Sequence, residues 1–446
     1  MRIKFKNILL IFLFLYPITP WYITFGPLNL VNIVSILFII CWMIMSDMKI
    51  ASFSKTSSFF WIYLFAYSIQ ALADTSLTRA AAYIMAQLAV CIIIYAEVKK
   101  RKIFREALYM LVYAAGFLCV TGVLEEITRI NLFHVISRLP SGSFYTEIRL
   151  GIYRIETSFS HPIVYCAYLC FIAGILIYLI DNEKNKKRKK FLRIIYVLVL
   201  VNALFTMSRS TLFVLAVEQV VLGYMTGAIR FGKKVFIGAA VFSFVLLLSS
   251  FLGLPYVSKL KDVWYMFLAV FNDNYSSLFS TSFGLNESGI GNRLQLFNWV
   301  AETVKGNELF GMGTSANFEY TVNATESIWN YSYTWIKTSI ENEYLYNYFI
   351  HGLVGIVTFS LNICGVIIYA IKTSKESKTY NANAEEIVEH RITFSKLMSI
   401  LLIGYAITLF SVRASDNVRM FNVLICMLFA YNYKLKDRGM IHEKRG

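Results

Sequence analysis

Three arginines lie in short polar segments that border apolar runs: Arg154 in RIETSFSHP, Arg209 in TMSRST and Arg293 in GIGNRLQLF. A guanidinium group presents a planar pair of N–H donors that can bind two phosphate oxygens at once. These residues therefore predict a ligand that carries phosphate. The chain has no GxSxG, HExxH, P-loop or dinucleotide-binding pattern, and this excludes the sites that those motifs build.

Glu341 and His161 are the candidate proton acceptors. Glu341 lies at the start of an apolar run in ENEYLYNYF, where partial desolvation would make a carboxylate a stronger base. Thr338 and Glu341 also have the spacing of a helix capping box, so a purely structural role for Glu341 stays open. His161 precedes Pro162, and for this histidine a role as a polar residue at a helix start stays open.

The composition excludes a water-soluble enzyme. Of the 446 residues, 57% are hydrophobic and 16% are charged, whereas soluble domains carry about 25% charged residues. The net charge of +16 would suggest a nucleic-acid partner in a soluble protein, but basic residues set the orientation of a membrane protein. No nucleic-acid partner is therefore expected. All seven cysteines lie in apolar runs without metal-ligand spacing, so no metal or other cofactor is expected.

Twelve apolar runs approach the length of about 20 residues that a membrane-spanning helix needs. The sequence predicts an all-α integral membrane protein of about 12 transmembrane helices, forming a single domain over 1–446. Because the number of runs is even, both termini are expected on the same side. The runs lie near 8–25, 28–45, 58–73, 79–95, 107–124, 163–180, 191–207, 210–229, 235–253, 345–371, 395–412 and 418–433.

The charges of the loops predict that both termini lie on the cytoplasmic side. With both termini in the cytoplasm, 30 of the 43 Lys and Arg residues fall in inside segments, as the positive-inside rule requires. The outside segments then contain a long extracytoplasmic loop at 254–344, between spans 9 and 10. Within this loop the sequence predicts a helix near 292–305 and a tight turn at Gly311–Gly313.

The two sides also differ in the kind of cation. The 13 outside cations are nine Arg and four Lys, whereas the inside cations are nine Arg and 21 Lys. Orientation alone does not require this difference. Because arginine is the better bidentate phosphate ligand, the Arg-rich outer side predicts a phosphate-bearing ligand there, and a lipid-linked pyrophosphate is the natural candidate.

The order of motifs over roughly 150–360 resembles the O-antigen ligase and polymerase superfamily of bacterial membrane glycosyltransferases. The motifs are R-x-x-x-S-F-x-H-P from Arg154 to Pro162, S-R-S from Ser208 to Ser210, R-L-x-x-F with a downstream F-G-x-G from Arg293 to Gly313, and E-N-x-Y-L followed by G-L-x-G from Glu341 to Gly355. The twelve-span layout and the long outer loop also resemble this family.

The resemblance implies roles for these residues. Arg209 and Arg293, with Arg154, would bind the pyrophosphate of an undecaprenyl-linked glycan donor. Glu341 would act on the acceptor hydroxyl, with Asn342 and Tyr344 helping to position it. The ligases carry a His-Asn pair where this chain has Glu341 and Asn342, so the resemblance favours a Wzy-type polymerase.

The expected function is polymerisation of surface polysaccharide in the bacterial inner membrane. The expected partners are undecaprenyl-pyrophosphate-linked oligosaccharides and the lipid bilayer, and a chain-length regulator is a further candidate. An O-antigen ligase is the nearest alternative. A lipid-linked oligosaccharide flippase is an alternative of another class, although a flippase should carry cations in the middle of its spans and this sequence has few there.

Overall fold

The computed structural model describes residues 4–25, 28–47, 57–73, 77–137, 148–149, 152–225, 227, 290–326, 331–381, 393–413 and 417–437. Most of these residues are helical. The helices are α1 Phe5–Ile18, α2 Leu30–Met45, α3 Ser58–Ala73, α4 Leu77–Tyr83, α5 Val90–Arg101, α6 Phe104–Thr128, α7 Leu132–Ser137, α8 Pro162–Asn182, α9 Lys186–Phe205, α10 209–225, α11 Ile290–Val304, α12 Glu343–Asn381, α13 Phe394–Thr408 and α14 Asn417–Asp437. A π-helical segment, Ile84–Ala89, joins α4 to α5.

Among the described residues, four helical stretches are long and apolar enough to cross a membrane, and five shorter apolar helices accompany them. The chain therefore has the features of an all-α membrane protein. The predicted span at 235–253 lies outside the described residues, and the number of spans stays a prediction. The four long stretches are Ala80–Arg101, Phe104–Thr128, Pro162–Asn182 and Glu343–Lys375.

Helix α1 is shorter than the predicted first span, which reached residue 25. It ends at Ile18, where the Thr19 N–H and hydroxyl both donate to the Leu15 carbonyl. Pro20 follows, and a proline disfavours helical backbone in the residue before it. The chain then forms a short antiparallel pair, β1 Thr24–Phe25 with β2 Leu28–Asn29.

Two more antiparallel pairs are present, and no strand was predicted at either place. β3 Ile148–Arg149 pairs with β4 Ile152–Tyr153. In the long loop, β5 Tyr320–Glu326 pairs with β6 Tyr331–Lys337, with Tyr320 opposite Lys337. Both β5 and β6 are rich in β-branched and aromatic residues, which favour strands, and the apolar-run search that finds spans does not detect them.

Helix α8 lies at the centre of the bundle and α12 at its edge. In the apolar stretch of Pro162–Asn182, 78% of residues are buried by other parts of the chain, against 33% for Glu343–Lys375. Helix α8 packs on α6, α9 and α13. A smaller apolar cluster joins α11 to the start of α12 and contains Leu296, Trp299, Val300, Val304, Phe318, Ile340, Leu345, Phe349 and Ile350.

Ion pairs and hydrogen bonds between neighbouring helix ends divide these ends into two groups. At one end, Lys6 pairs with Glu106, Lys100 with Asp47, and Arg105 with Glu183; we call it the lysine end. All six of these residues come from segments that the charge bias predicts to lie inside.

The opposite end holds Arg154 and Arg209, and we call it the arginine end. There the Ser158 hydroxyl donates to the Pro17 carbonyl, and the Glu343 N–H donates to the Leu409 carbonyl. Ser158 and Glu343 come from segments that the charge bias predicts to lie outside, and Pro17 and Leu409 lie in the outer halves of the predicted spans 8–25 and 395–412. The two groups of helix ends therefore agree with the predicted alternation of loops.

Candidate functional site

Arg154 is buried against the turn that carries Arg209. Only 2% of Arg154 is exposed. Its Nε donates to the Thr206 carbonyl at 2.9 Å, and its Nη2 lies 3.4 Å from the Ser208 Oγ. The structure thus joins two segments that are about 50 residues apart in the sequence. A role for Arg154 in binding the pyrophosphate stays a prediction, and in the structure its guanidinium group is buried against this turn.

Arg209 begins α10 and is half-buried. Helix α9 ends at Phe205, Met207 has a left-handed backbone with φ of 50°, and α10 starts two residues later. The short turn places the Arg209 guanidinium in the first turn of a helix, where the backbone N–H groups and the helix dipole also favour an anion. The predicted role of Arg209 in binding phosphate fits this position.

A buried carboxylate fixes the segment that follows Arg154. Glu125, at the end of α6, accepts hydrogen bonds from the backbone N–H groups of Glu156 and Thr157 at 3.1 and 3.0 Å. It also accepts one from the Asn131 Nδ2 at 3.1 Å. Thr157 has a left-handed backbone with φ of 52°. Glu125 therefore determines the path of the chain between Arg154 and α8.

His134 and Glu156 form a close pair beside this carboxylate. The His134 Nε2 lies 2.7 Å from the Glu156 Oε1, and the side chains are 13% and 2% exposed. Asn131 caps α7, because its side-chain oxygen accepts from the N–H groups of Phe133 and His134. Burial lowers the pKa of His134 to about 4, although nearby Glu125 acts in the opposite direction. The imidazole is therefore neutral at physiological pH.

His134 was not among the functional residues predicted from the sequence. Glu156 follows 22 residues later, and the pair exists only because α7 folds back onto the Arg154 segment. No sequence motif signals it. Polar residues inside an apolar chain were the available clue, because a buried ionisable group needs a partner and is often part of a function.

His161 is the N-cap of α8. Its Nδ1 accepts from the Ile163 N–H at 3.2 Å, and Pro162 occupies the first helical position. The predicted role at a helix start is confirmed. A catalytic role for His161 stays a prediction, and it would have to use Nε2, because Nδ1 accepts the capping hydrogen bond.

Glu341 lies just before α12 and is exposed. The Lys337 Nζ donates to its Oε1 at 3.1 Å, and 51% of the Glu341 side chain is exposed. The predicted capping box is wrong, because Asn342 is the residue that caps the helix: its Oδ1 accepts from the Leu345 N–H at 3.0 Å. Thr338 is exposed and makes no such bond. The predicted action of Glu341 on the acceptor hydroxyl stays a prediction.

Asn342 and Tyr344 attach the start of α12 to the bundle. Asn342 is buried, and its side chain caps α12. The Tyr344 hydroxyl donates to the Ala406 carbonyl at 3.1 Å, and its ring contacts Phe410 with centroids 4.5 Å apart. The hydroxyl of Tyr344 and the side-chain oxygen of Asn342 thus have partners within the chain, and their predicted role in positioning an acceptor hydroxyl stays a prediction.

Arg293 lies in α11, which is present as predicted, but its side chain lies outside the described residues. From the sequence, Leu294, Phe297, Ala301 and Val304 share one apolar face of this helix, but the structure does not cover that face as a whole. Phe297 and Ala301 are exposed, whereas Trp299 and Val300 are buried with Val304. The reason is that α11 packs against the start of α12, and this partner determines which side of the helix is covered.

No protein-family model matches this chain, and a search of curated proteins finds no match. The candidate site therefore rests on the contacts themselves: a buried arginine beneath the Arg209 turn, and a histidine–carboxylate pair next to it.

Proposed function

We propose that this protein is a surface-polysaccharide (O-antigen) polymerase of the bacterial inner membrane. It transfers a growing glycan from undecaprenyl pyrophosphate to a hydroxyl group of a lipid-linked repeat unit on the outer face of the membrane. Both termini lie in the cytoplasm, so the arginine end is the outer end. The proposal follows the resemblance in motif order.

One observation carries the proposal further than the motifs do. Arg154 binds the Thr206 carbonyl and Ser208, so the first two motifs form one unit at one end of the bundle. A pyrophosphate ligand needs cations held in fixed positions, since stabilisation of a leaving group depends on preorganised charge. A guanidinium group buried beneath the turn supplies that rigidity for Arg209.

The proposed chemistry uses the parts that these segments contain. Arg209 and Arg293 hold the two phosphates of the donor, and their charge stabilises the pyrophosphate as the bond to the sugar C1 breaks. An arginine-bound pyrophosphate can leave without a metal ion, so the proposed enzyme is a metal-independent glycosyltransferase. The acceptor hydroxyl must also lose a proton, and that step needs a base.

A deletion strain complemented with the wild-type gene tests this function. We expect surface glycan of one repeat unit in the deletion strain and long chains after complementation. Complete loss of surface attachment in the deletion strain would instead indicate a ligase. Accumulation of lipid-linked units on the cytoplasmic side would indicate a flippase. An unchanged glycan would contradict all three functions.

A further inference from the structure

The arginine end contains a second group of ionisable residues that the motifs do not include. His134 contacts Glu156 at 2.7 Å, and Glu125 binds the backbone of Glu156. Placing two carboxylates and an imidazole away from water costs free energy unless they are paired. A group retained at that cost next to a phosphate-binding turn is a candidate for catalysis.

The pair has the construction of a base with its orienting carboxylate. Glu156 is 2% exposed and faces Nε2, whereas His134 keeps 13% of its side chain exposed. The imidazole is therefore the more exposed member of the pair. The Glu156 carboxylate lies 2.7 Å from Nε2, which favours the proton of the neutral imidazole on that nitrogen and leaves the lone pair on Nδ1. This is the arrangement by which a buried carboxylate fixes the tautomer of a catalytic histidine.

The pair is also close to the phosphate-binding arginines along the chain. Glu156 is two residues from Arg154, and Arg154 binds the turn that ends in Arg209. One rigid segment, held by Glu125, therefore links the imidazole to the Arg209 turn. Glu341 has no such connection: it is exposed and paired with Lys337.

We propose that His134 is the general base that activates the acceptor hydroxyl, and that Glu156 is its positioning residue. This inference rests on the proposed function. The hydroxyl proton passes to His134 Nδ1 while the hydroxyl oxygen forms the new bond to C1 of the donor sugar. The C1–O bond to the pyrophosphate breaks, and its electron pair leaves with the pyrophosphate. The imidazolium, stabilised by Glu156, then releases its proton to water.

The test uses the full-length protein in liposomes with undecaprenyl-pyrophosphate-linked repeat units. His134→Gln should lower kcat by about 10²- to 10⁴-fold, the usual effect of losing a general base, with the KM for the donor unchanged. Glu156→Gln retains a hydrogen-bond acceptor for Nε2–H but loses the charge, so kcat should fall by roughly 10- to 10³-fold. The double variant should be no slower than His134→Gln, because residues that act as a unit are not additive.

Two comparison variants make the outcomes distinct. His351→Gln removes another buried histidine, one that packs against the Tyr67 ring, and should keep the wild-type kcat. Glu341→Gln should stay within about threefold of wild type, since a much larger loss is what a base would show. If His134→Gln does not fold, Glu156→Gln decides the question.

Wild-type kcat in a folded His134→Gln or Glu156→Gln variant would overturn the assignment. A large loss confined to Glu341→Gln would overturn it as well, and would return the role of base to Glu341. If the wild-type protein itself makes no polymer in this assay, the proposed function fails, and the assignment of His134 fails with it.

Discussion

Gly311 and Gly352 face each other where the long outer loop meets α12. A Cβ atom added to Gly311 would lie 2.5 Å from the Gly352 nitrogen, and one added to Gly352 would lie 2.4 Å from the Leu309 carbonyl carbon. Both glycines have positive φ, 75° and 63°. Gly352 interrupts α12, and the Gly311 turn occupies the interruption.

The backbone hydrogen bonds explain why the interruption is tolerated. The carbonyls of Phe349 and Ile350 accept from the N–H groups of Met312 and Gly313 in the loop. In return, the N–H groups of Leu353 and Val354 donate to the carbonyls of Glu308 and Leu309. Four groups that the helix would otherwise leave unpaired thus find partners, which is required of irregular backbone inside a membrane protein.

Replacing either of the two facing glycines should destabilise the protein. In Gly352→Ala, a residue with a Cβ atom must adopt a backbone conformation with positive φ, which costs about 1–3 kcal/mol. The added Cβ atom also clashes with backbone atoms of the loop. Gly306→Ala is the matched control, because Gly306 also has positive φ, 90°, but has no atom within 4 Å of the added carbon. Thermal unfolding in detergent should show a clearly larger decrease in Tm for Gly352→Ala. Equal decreases would show that the close approach of the two segments is unimportant.

Arg154→Lys should reduce both stability and transfer. A lysine ammonium group cannot reproduce the fork that binds the Thr206 carbonyl and Ser208, and an unsatisfied buried polar group costs about 1–3 kcal/mol. Arg413→Lys is the control, since the Arg413 guanidinium stacks on the Tyr346 ring at 3.6 Å in an exposed position and contributes about 0.5–1 kcal/mol. Tm and transfer rate are measured for both variants. An Arg154→Lys protein that equals wild type in both would contradict the positioning role.

Arg209→Lys and Arg293→Lys should impair transfer strongly at normal protein level. Each change keeps the positive charge but removes the bidentate donor pair that binds two phosphate oxygens. The donor concentration dependence should show a raised KM or a lowered kcat, measured with the purified variants. Wild-type chain length from either variant would exclude that arginine from the donor site. Lys305→Gln serves as a control for general loss of positive charge in the outer loop.

Glu183 should stabilise the lysine end in a pH-dependent way. Burial works against its ionisation, but the Tyr109 hydroxyl, the Asn185 N–H and Arg105 together hold its pKa below the ordinary value. A lowered pKa in the folded state stabilises the protein above the pKa of the unfolded chain, about 4.3, and this contribution is lost as the pH falls through the folded-state value. Glu183→Gln should therefore lower Tm at pH 7. The difference from wild type should shrink as the pH falls below about 4.3, and a constant difference would contradict the role of the charge.

The sidedness of the bundle can be tested with single cysteines. Ser315→Cys lies in the long loop and should react with a membrane-impermeant maleimide added from outside. Lys187→Cys lies in the exposed start of α9 at the lysine end and should react only after the membrane is opened. The reverse pattern would place the arginine end in the cytoplasm and remove the basis of the proposed function.

The sequence predicted the helices better than the site. Apolar runs mark α2, α3, α6 and α8 because membrane-length hydrophobicity is a local property of the chain. The covered face of α11 differs from the apolar face seen in the sequence, since it depends on α12, about 50 residues away. The spacing of Thr338 and Glu341 indicated a possible helix cap, but Asn342 is the residue that caps the helix. Sequence spacing cannot decide between neighbouring polar residues that are all able to cap.

The candidate functional residues, too, could be predicted from the sequence only in part. Arg209 stands out in the sequence because a cation between two apolar runs is unusual. The pairing of His134 with Glu156 could not be predicted, because it depends on how α7 packs against the segment before α8. The facing glycines were visible as two separate glycine motifs, but only the exchange of hydrogen bonds between them gives them a shared structural role.

The most direct test of the proposed function is a polymerisation assay with purified protein. The protein is reconstituted in liposomes with undecaprenyl-pyrophosphate-linked repeat units isolated from a deletion strain, in the presence of EDTA, and the glycans are separated by gel and weighed by mass spectrometry. We predict a ladder of products spaced by one repeat unit, with free undecaprenyl pyrophosphate released for each bond formed. Recovery of only the original single units, from a protein that is folded and membrane-inserted, would contradict the proposed function.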